Sequence, residues 1–279
     1  MDLSELLTRY EAGERDFRNA NLAGVDLSQR VLPEIHLRDA NLSGAILDGA
    51  DLHGANLRAA KLSRASLCHT NLMLANLIGG DFSDANLMHA NLTEAGMRGA
   101  IFTRASLSQA TLSDGNLNEA SLDEANLEGA NLSGVSLNRA RLAKANLTAA
   151  NLEGASLASA TLTEAILVRA HLQGAIVSGA ALDMADMTEV DLSRAKLQGC
   201  SMVNTVLTRA NLRGTNLSWS SLRGADLQGA TLYRAKLSWS NLSGATLTEA
   251  VMINANMAYT NLKNAKLQGT ILPDGITHE

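Results

Sequence analysis

Residues 125–129, Ala-Asn-Leu-Glu-Gly, are one of the plainest copies of a five-residue repeat that fills most of the chain. Near-copies run from Phe17 to Leu272 without an insertion or a deletion, so every fifth residue is large, apolar and nearly always leucine. We call this residue the centre of its repeat, and the chain has 52 centres. So short and strict a period indicates a single solenoid rather than one to three ordinary globular domains.

The period itself predicts how the backbone runs. Five residues match neither the 3.6-residue period of a helix nor the two-residue period of a strand, so the chain must turn once in every repeat. Of the 22 glycines, 17 lie two residues after a centre, which is the turn position where a type II turn needs positive φ. Both prolines, Pro33 and Pro273, lie one residue after a centre, a turn position that proline favours. We therefore predict a turn in every repeat, with the centres and the small residue two positions before each of them facing inward.

The two ends are predicted to differ from the repeats. Residues 1–16 should form a helical cap over the first coil, residues 17–272 the repeat domain, and residues 273–279 a short tail. Asp2 or Ser4 can cap the helix at its start, and Gly13 can end it. The apolar residues at helical spacing are Leu3, Leu6, Leu7 and Tyr10. The tail is too short to cover the last coil well, which favours an end-to-end homodimer through the C-terminal coils.

Charge and cysteine content narrow the class of protein. A formal net charge of −5 over 279 residues is too small to indicate either a nucleic-acid-binding protein or a polyanion. Cys68 and Cys200 lie outside any paired motif, which favours a reducing compartment. The N-terminal residues alternate in charge, and no stretch is apolar enough for a signal peptide or a membrane span. We therefore expect a cytoplasmic protein with no nucleic-acid or membrane partner.

The repeats resemble a known family. Copies such as Ala-Asp-Leu-His-Gly at 50–54 and Ala-Asp-Leu-Gln-Gly at 225–229 match the A-[DN]-L-x-x signature of pentapeptide-repeat proteins. The resemblance covers 17–272 and implies an all-β solenoid, a right-handed quadrilateral β-helix with four repeats a coil and about 13 coils. The opening and closing segments are also similar to those of cyanobacterial members, including a regulator of heterocyst differentiation.

In such a helix, residues 20 apart stack, and one column of large residues stands out. Trp219, Trp239 and Tyr259 all lie two residues after a centre, where small or polar residues are usual. Aromatic residues dominate the energetics of protein interfaces, so this column is a candidate surface for a partner or for self-association. The alternatives are a column of stacked rings left by duplication of neighbouring coils, or a surface on which the C-terminal tail packs.

A second departure lies between residues 68 and 88, where outward positions are apolar instead of polar. The apolar residues are Cys68, Met73, Leu74, Ile78 and Met88. A patch of this kind can meet a protein partner, or it can be tolerated surface variation. His69 and His89 share a column beside Cys68, which raises the hypothesis of a metal site. Only the histidines share that column and no carboxylate lies next to them in it, so we predict no metal ion.

Charged columns have structural interpretations. The column Arg64, Asp84, Arg104, Glu124, Lys144, Glu164 alternates in sign and predicts a ladder of weak cross-strand pairs. Another column carries Arg18, Arg38, Arg58 and Arg98, for which solvation is favoured over an anionic partner. Arg30 and Ile35 occupy slots that normally hold alanine, so we expect an irregular first coil.

The pattern argues against catalysis. A leucine-filled rod offers no water-excluding pocket for converging titratable groups, and no catalytic or cofactor-binding motif occurs in a usable context. We therefore predict a non-catalytic protein-binding scaffold or regulator without a cofactor. One alternative is a mimic of duplex DNA that occupies a type II topoisomerase, as some family members do, but this needs a dominant acidic face. The other is a purely structural protein.

Overall fold

The computed structural model describes all residues, Met1–Glu279, as one helix followed by a regular succession of turns and bridges. The residues group into two compact units, an N-terminal unit of residues 1–141 and a C-terminal unit of residues 142–279. Helix α1 spans Leu3–Glu11. No helix has both the length and the apolar character of a membrane span.

The β structure consists of single-residue parallel bridges between residues 20 apart. They run from Asp16↔His36 to Ser121↔Arg141 in the N-terminal unit, and from Asn146↔Ile166 to Val251↔Ile271 in the C-terminal unit. Four five-residue repeats therefore make one coil, and each unit is a β-helix solenoid in which successive coils pair through their backbones.

Nearly every repeat turns in the same way. The centre accepts a hydrogen bond from the N–H three residues later, as in Ala45 N to Leu42 O at 3.0 Å. The residue two after the centre has positive φ, both where it is glycine, as at Gly44 (65°), and where it is not, as at Arg64 (58°). Its own N–H is held by the next coil, as in Arg64 N to Ser83 O at 2.9 Å. Inter-coil pairing thus fixes a conformation that an L-residue rarely adopts. The predicted turn with positive φ is confirmed.

The core consists of the centres and the small residues that precede them. Leu47 and Ala45 are both fully buried, as are nearly all their counterparts. Each buried leucine contributes about 1.5–3 kcal/mol relative to an exposed one. Where a small slot holds a hydroxyl, it bonds to a backbone carbonyl, as in Thr70 Oγ1 to Leu47 O at 2.8 Å. The polar atoms in the core are therefore satisfied.

Helix α1 covers the first coil of the N-terminal unit. Its start is capped by Asp2, whose side chain accepts a hydrogen bond from Glu5 N at 2.8 Å. Leu6 is fully buried, and Tyr10 donates its hydroxyl hydrogen to Pro33 O at 2.9 Å. The chain leaves the helix through Gly13, which has φ of 95°. The predicted N-terminal helix is confirmed.

The first coil is regular, so the expectation of an irregular one is wrong. Arg30 N donates to Leu27 O at 3.2 Å, and Asp51 N donates to Arg30 O at 2.8 Å, as in other repeats. The Arg30 side chain is exposed, whereas Ile35 is fully buried. Backbone pairing thus overrides the identity of the side chain in the slot.

The C-terminal tail closes only part of the last coil. It folds back as an antiparallel segment, with His278 N bonded to Thr270 O at 2.9 Å and Leu272 N bonded to Ile276 O at 2.8 Å. The centres of the last coil are only partly buried: Met257, Leu262, Leu267 and Leu272. The incomplete cover predicted for this end is therefore observed.

Candidate protein-binding surfaces

Trp219, Trp239 and Tyr259 form a stacked ladder on the surface of the C-terminal unit. The ring centroids of Trp219 and Trp239 are 5.0 Å apart, and their planes differ by 2°. The centroids of Trp239 and Tyr259 are 4.2 Å apart, at 18°. The three residues remain 65%, 49% and 75% exposed. The sequence prediction of a surface column is thus realised as a continuous aromatic ridge, which we call the ladder.

The repeat geometry explains why these rings stack. Each ring stands at the positive-φ position of its turn, with φ of 65° at Trp219, 63° at Trp239 and 59° at Tyr259. Coils of a β-helix repeat about every 4.8 Å, which is close to a stacking distance. The backbone hydrogen bonds of the C-terminal tail are made with Asn254, Gly269, Thr270 and Leu272. Tyr259 is the most exposed of the three aromatic residues. The C-terminal tail therefore does not cover the ladder.

The corner that carries the ladder has no charged residue. We define the aromatic corner as the two turn residues that follow the centre at this edge in six successive coils of the C-terminal unit. Its members are Ala158, Ser159, Ser178, Gly179, Gln198, Gly199, Ser218, Trp219, Ser238, Trp239, Ala258 and Tyr259. The other three edges of this unit carry charged turn residues, such as Asp183, Arg209 and Arg213. Depletion of charge around exposed aromatic rings is typical of the centre of a protein interface.

The predicted apolar patch is divided by the structure. Met88 lies one coil beyond Cys68 at the same turn, Met73 and Leu74 occupy the next turn, and Ile78 occupies the turn after that. Leu74 is 47% exposed and Met88 37%, whereas the others are half-buried. Because four turns make a coil, these side chains lie at three different edges. The N-terminal unit therefore offers two small apolar sites, Met88 with Cys68 and Met73 with Leu74, instead of one patch.

His69 and His89 stack beside Cys68 and Met88. Their ring centroids are 4.7 Å apart, and the planes differ by 5°. No group of three or more His, Cys, Asp or Glu side chains is arranged to hold a metal ion. Stacking in a surface column accounts for the histidine pair.

The charged columns form ion pairs at the surface. Arg104 Nε lies 2.7 Å from Asp84 Oδ1, and a second bond from Nη2 to Oδ2 is 2.9 Å. This hydrogen-bonded guanidinium lowers the pKa of Asp84. In the C-terminal unit, Lys144 Nζ lies 3.7 Å from Glu164. The cross-strand ion pairs predicted for this charged column are confirmed at these two contacts.

Three members of the arginine column pair with acids. Arg18 pairs with Asp16 at 2.6 Å and Arg38 with Asp39 at 3.0 Å. One further member, Arg98, contacts Glu119 at 3.0 Å. The repulsion expected from stacked like charges is thus offset at these three residues, which supports the structural interpretation of this column.

Two surface features escaped the sequence reasoning. Met184, at the positive-φ position of its turn, is 53% exposed. Arg213 and Arg234 both lie over the ring of Tyr233, with their Cζ atoms 5.2 Å and 5.1 Å from its centroid. Both features could have been found, since Met184 breaks the same outward-position rule as Leu74, and Arg213 and Tyr233 are 20 residues apart.

The repeats of this chain match a known protein family. The family model described as pentapeptide repeats matches in eight copies, at residues 35–73, 70–109, 100–139, 140–179, 165–202, 185–224, 200–238 and 235–272. Together the matches cover residues 35–272 without a gap. No curated protein sequence matches the chain.

Several solved structures are similar in sequence. HetL, a pentapeptide repeat protein involved in heterocyst differentiation regulation from the cyanobacterium Nostoc, is 33% identical over 100% of both chains, with a TM-score of 0.28. Rfr23 from the cyanobacterium Cyanothece is 33% identical over 38% of this chain and 59% of its own, with a TM-score of 0.21. A protein of the Arabidopsis thaliana thylakoid lumen is 29% identical over 39% of this chain and 70% of its own, with a TM-score of 0.20. On the match to the family model, this chain belongs to the pentapeptide repeat family.

Proposed function

We propose that this protein is a non-catalytic scaffold or regulator that binds a protein partner on the outer surface of its β-helix. The observation that carries the proposal is the ladder, an exposed stack of Trp219, Trp239 and Tyr259 on a corner without charge. Rigid aromatic rings provide large contact areas and lose little conformational entropy on binding. The uncharged residues around them need little free energy for desolvation. Self-association through these C-terminal coils is part of the proposal.

The rest of the proposal concerns the scaffold itself. We propose a right-handed quadrilateral helix of about 13 coils, which the 52 repeats and the 20-residue bridge spacing support. The proposed setting is the cytoplasm, and the proposed partner is a protein, with neither nucleic acid nor a membrane involved. The interior supports a non-catalytic role, because its polar side chains, such as Thr70 and Ser220, bond to backbone carbonyls instead of to one another.

The charge pattern favours a protein partner over mimicry of duplex DNA. A mimic would present carboxylates along a continuous face. Here the carboxylates of Asp16, Asp84 and Glu119 are each bonded to an arginine. Cations interleaved with the acids in this way reduce the negative potential that a DNA-binding partner would recognise.

The proposal is tested by affinity capture from native lysate with quantitative mass spectrometry. The double variant Trp219→Ala/Trp239→Ala should lose at least one protein that the wild type captures. Met184→Ser is the matched control, because it removes another exposed apolar side chain at a positive-φ position of the same unit. Met73→Ser/Leu74→Ser tests one of the smaller apolar sites of the N-terminal unit. Retention of every captured protein by both double variants would contradict these candidate surfaces.

A further inference from the structure

A groove continues the column of the ladder towards the N-terminus. The three preceding positions of this column in the C-terminal unit are Ser159, Gly179 and Gly199. A Cβ atom placed on Gly199 would have no atom within 4 Å, and one placed on Gly179 would meet only Ser159 Oγ, at 3.6 Å. The face of the Trp219 indole that is turned away from Trp239 therefore borders open space. We call these three positions the groove.

The ladder and the groove are complementary in length. Three aromatic residues occupy three successive coils, and three small residues occupy the three coils before them. A two-fold axis perpendicular to the coil axis, placed midway between the levels of Gly199 and Trp219, would bring Trp219 of one copy opposite Gly199 of another. It would also bring Trp239 opposite Gly179, and Tyr259 opposite Ser159. An isologous interface has this property, because one surface must complement itself.

Steric fit and charge decide whether two copies pair in parallel or antiparallel. In a parallel pair the rings of both copies would lie at the same levels and collide. In the antiparallel pair the rings of each copy fill the groove of the other, and the two Trp219 rings meet at the axis. On the neighbouring face, Lys196 then lies opposite Asn216 of the second copy, and Lys236 lies opposite its Ile176. Like charges do not face each other, and the aromatic corner itself is uncharged.

We propose that the partner on the ladder is a second copy of this chain, bound antiparallel with each ladder in the groove of the other. This inference rests on the proposed function, since it names the partner of the same surface. If each of the six rings loses about 100 Å² of exposed area and the grooves lose a matching area, the interface reaches roughly 1,200 Å². That is the lower limit for a stable specific interface, so the dimer should form at concentrations on the order of micromolar.

Sedimentation equilibrium of the full chain between about 1 and 100 μM tests the proposal. The wild type should pass from monomer to dimer in this range. Trp219→Ala/Trp239→Ala removes two rings of the ladder, and Gly199→Gln adds a side chain to the groove without replacing any ring. Glutamine tolerates positive φ at this place in the turn, because Gln29 and Gln109 hold φ of 59° and 58° at the same place in theirs. Each variant should weaken dimerisation at least tenfold, whereas Gly229→Gln, at the opposite corner of its coil, should leave it unchanged.

Mixing the two defective variants gives a sharper test. The Gly199→Gln chain keeps its ladder, and the Trp219→Ala/Trp239→Ala chain keeps its groove. Their mixture should therefore form a heterodimer through one intact half of the interface, more readily than either variant forms a homodimer. Circular dichroism of each variant checks that the β-helix is retained, and Gly199→Gln keeps the test decisive if the tryptophan variant does not fold.

The outcomes separate this inference from the proposed function. A wild type that stays monomeric, or a dimer that neither variant weakens, overturns the antiparallel pair. In the second case, the partly covered last coil is the alternative interface. If the wild type is monomeric but the ladder variant loses a captured protein, the proposed function stands with a different partner. If capture is unaffected as well, both proposals fail.

Discussion

The ring of Phe82 occupies the space that a side chain on Gly80 would need. Its Cε2 atom lies 2.9 Å from the position of a Cβ on Gly80, closer than real Cβ contacts allow. Phe82 also stacks on Phe102, with centroids 4.9 Å apart, so it has little freedom to move. We expect Gly80→Ala to lower the free energy of unfolding by about 1–3 kcal/mol through overpacking. Urea denaturation followed by circular dichroism measures this change.

The matched control restores the common repeat. In the double variant Gly80→Ala/Phe82→Leu, alanine and leucine occupy their usual slots and the clash disappears. The two substitutions should therefore be coupled, so that Gly80→Ala costs less in the Phe82→Leu background than alone. Additive effects would show that the ring does not exclude the methyl group.

The turns predict opposite effects for exchanging alanine and glycine. Ala59 holds φ of 53°, and Gly99 holds φ of 64° two coils along the same column. An L-residue is strained in this region by about 1–2 kcal/mol, whereas glycine is not. Ala59→Gly should therefore raise the urea midpoint, and Gly99→Ala should lower it. Shifts in the same direction would mean that inter-coil hydrogen bonds, instead of local strain, dominate at these positions.

The pairing of Asp84 with Arg104 predicts how the pKa of Asp84 responds to removal of the arginine. The hydrogen bonds from Arg104 lower the pKa of Asp84 below its value of about 3.9 in an unfolded chain. The pair therefore adds stability at pH above about 4, and this contribution is lost as the pH falls through the folded pKa. Carboxyl chemical shifts measured by NMR should show Arg104→Gln raising the pKa of Asp84 more than Arg64→Gln does. Arg64 acts on Asp84 only through its charge, so equal effects would contradict the hydrogen-bonded geometry.

The two thiols should differ in reactivity. Cys200 is 2% exposed, and its Sγ donates a hydrogen bond to Val177 O at 3.1 Å. Burial raises the pKa of Cys200 to about 11, so its thiolate is scarce at neutral pH. Alkylation at pH 8 should label only the half-buried Cys68 quickly, with Cys200 roughly 100-fold slower or more. Both thiols should react in denaturant, and Cys68→Ser should abolish the fast phase.

Most of the backbone could be predicted because one short period determines it. The spacing of the centres required a turn in every repeat, and the glycine positions identified which residue of the turn has positive φ. What the period could not show is that residues such as Arg64 and Trp219 adopt the same φ as glycine. That follows from the hydrogen bond between each such N–H and the next coil, an interaction between distant residues. The same pairing keeps the first coil regular around Arg30.

The candidate surfaces were less predictable. The column rule placed the ladder correctly because it depends only on the 20-residue spacing. The apolar patch does not form a single surface, because in this fold nearness in sequence is not nearness in space. Met73 and Ile78 are five residues apart, and in this fold five residues lead to the next edge of the coil. The groove at Gly179 and Gly199 could not be predicted from unusually large residues, because it consists of positions that lack a side chain.

The uniform five-residue repeat separates folding from surface identity. Deleting one whole repeat between Trp219 and Trp239 would leave the centres facing the core, since the remaining repeats are equivalent. It would nevertheless rotate all later residues by a quarter turn, so that Trp239 and Tyr259 would no longer stand above Trp219. Deleting four repeats would keep the columns aligned. Deleting one to three repeats would therefore leave the core intact but displace the members of the proposed binding surface. Selection on that surface would preserve the number of residues between them.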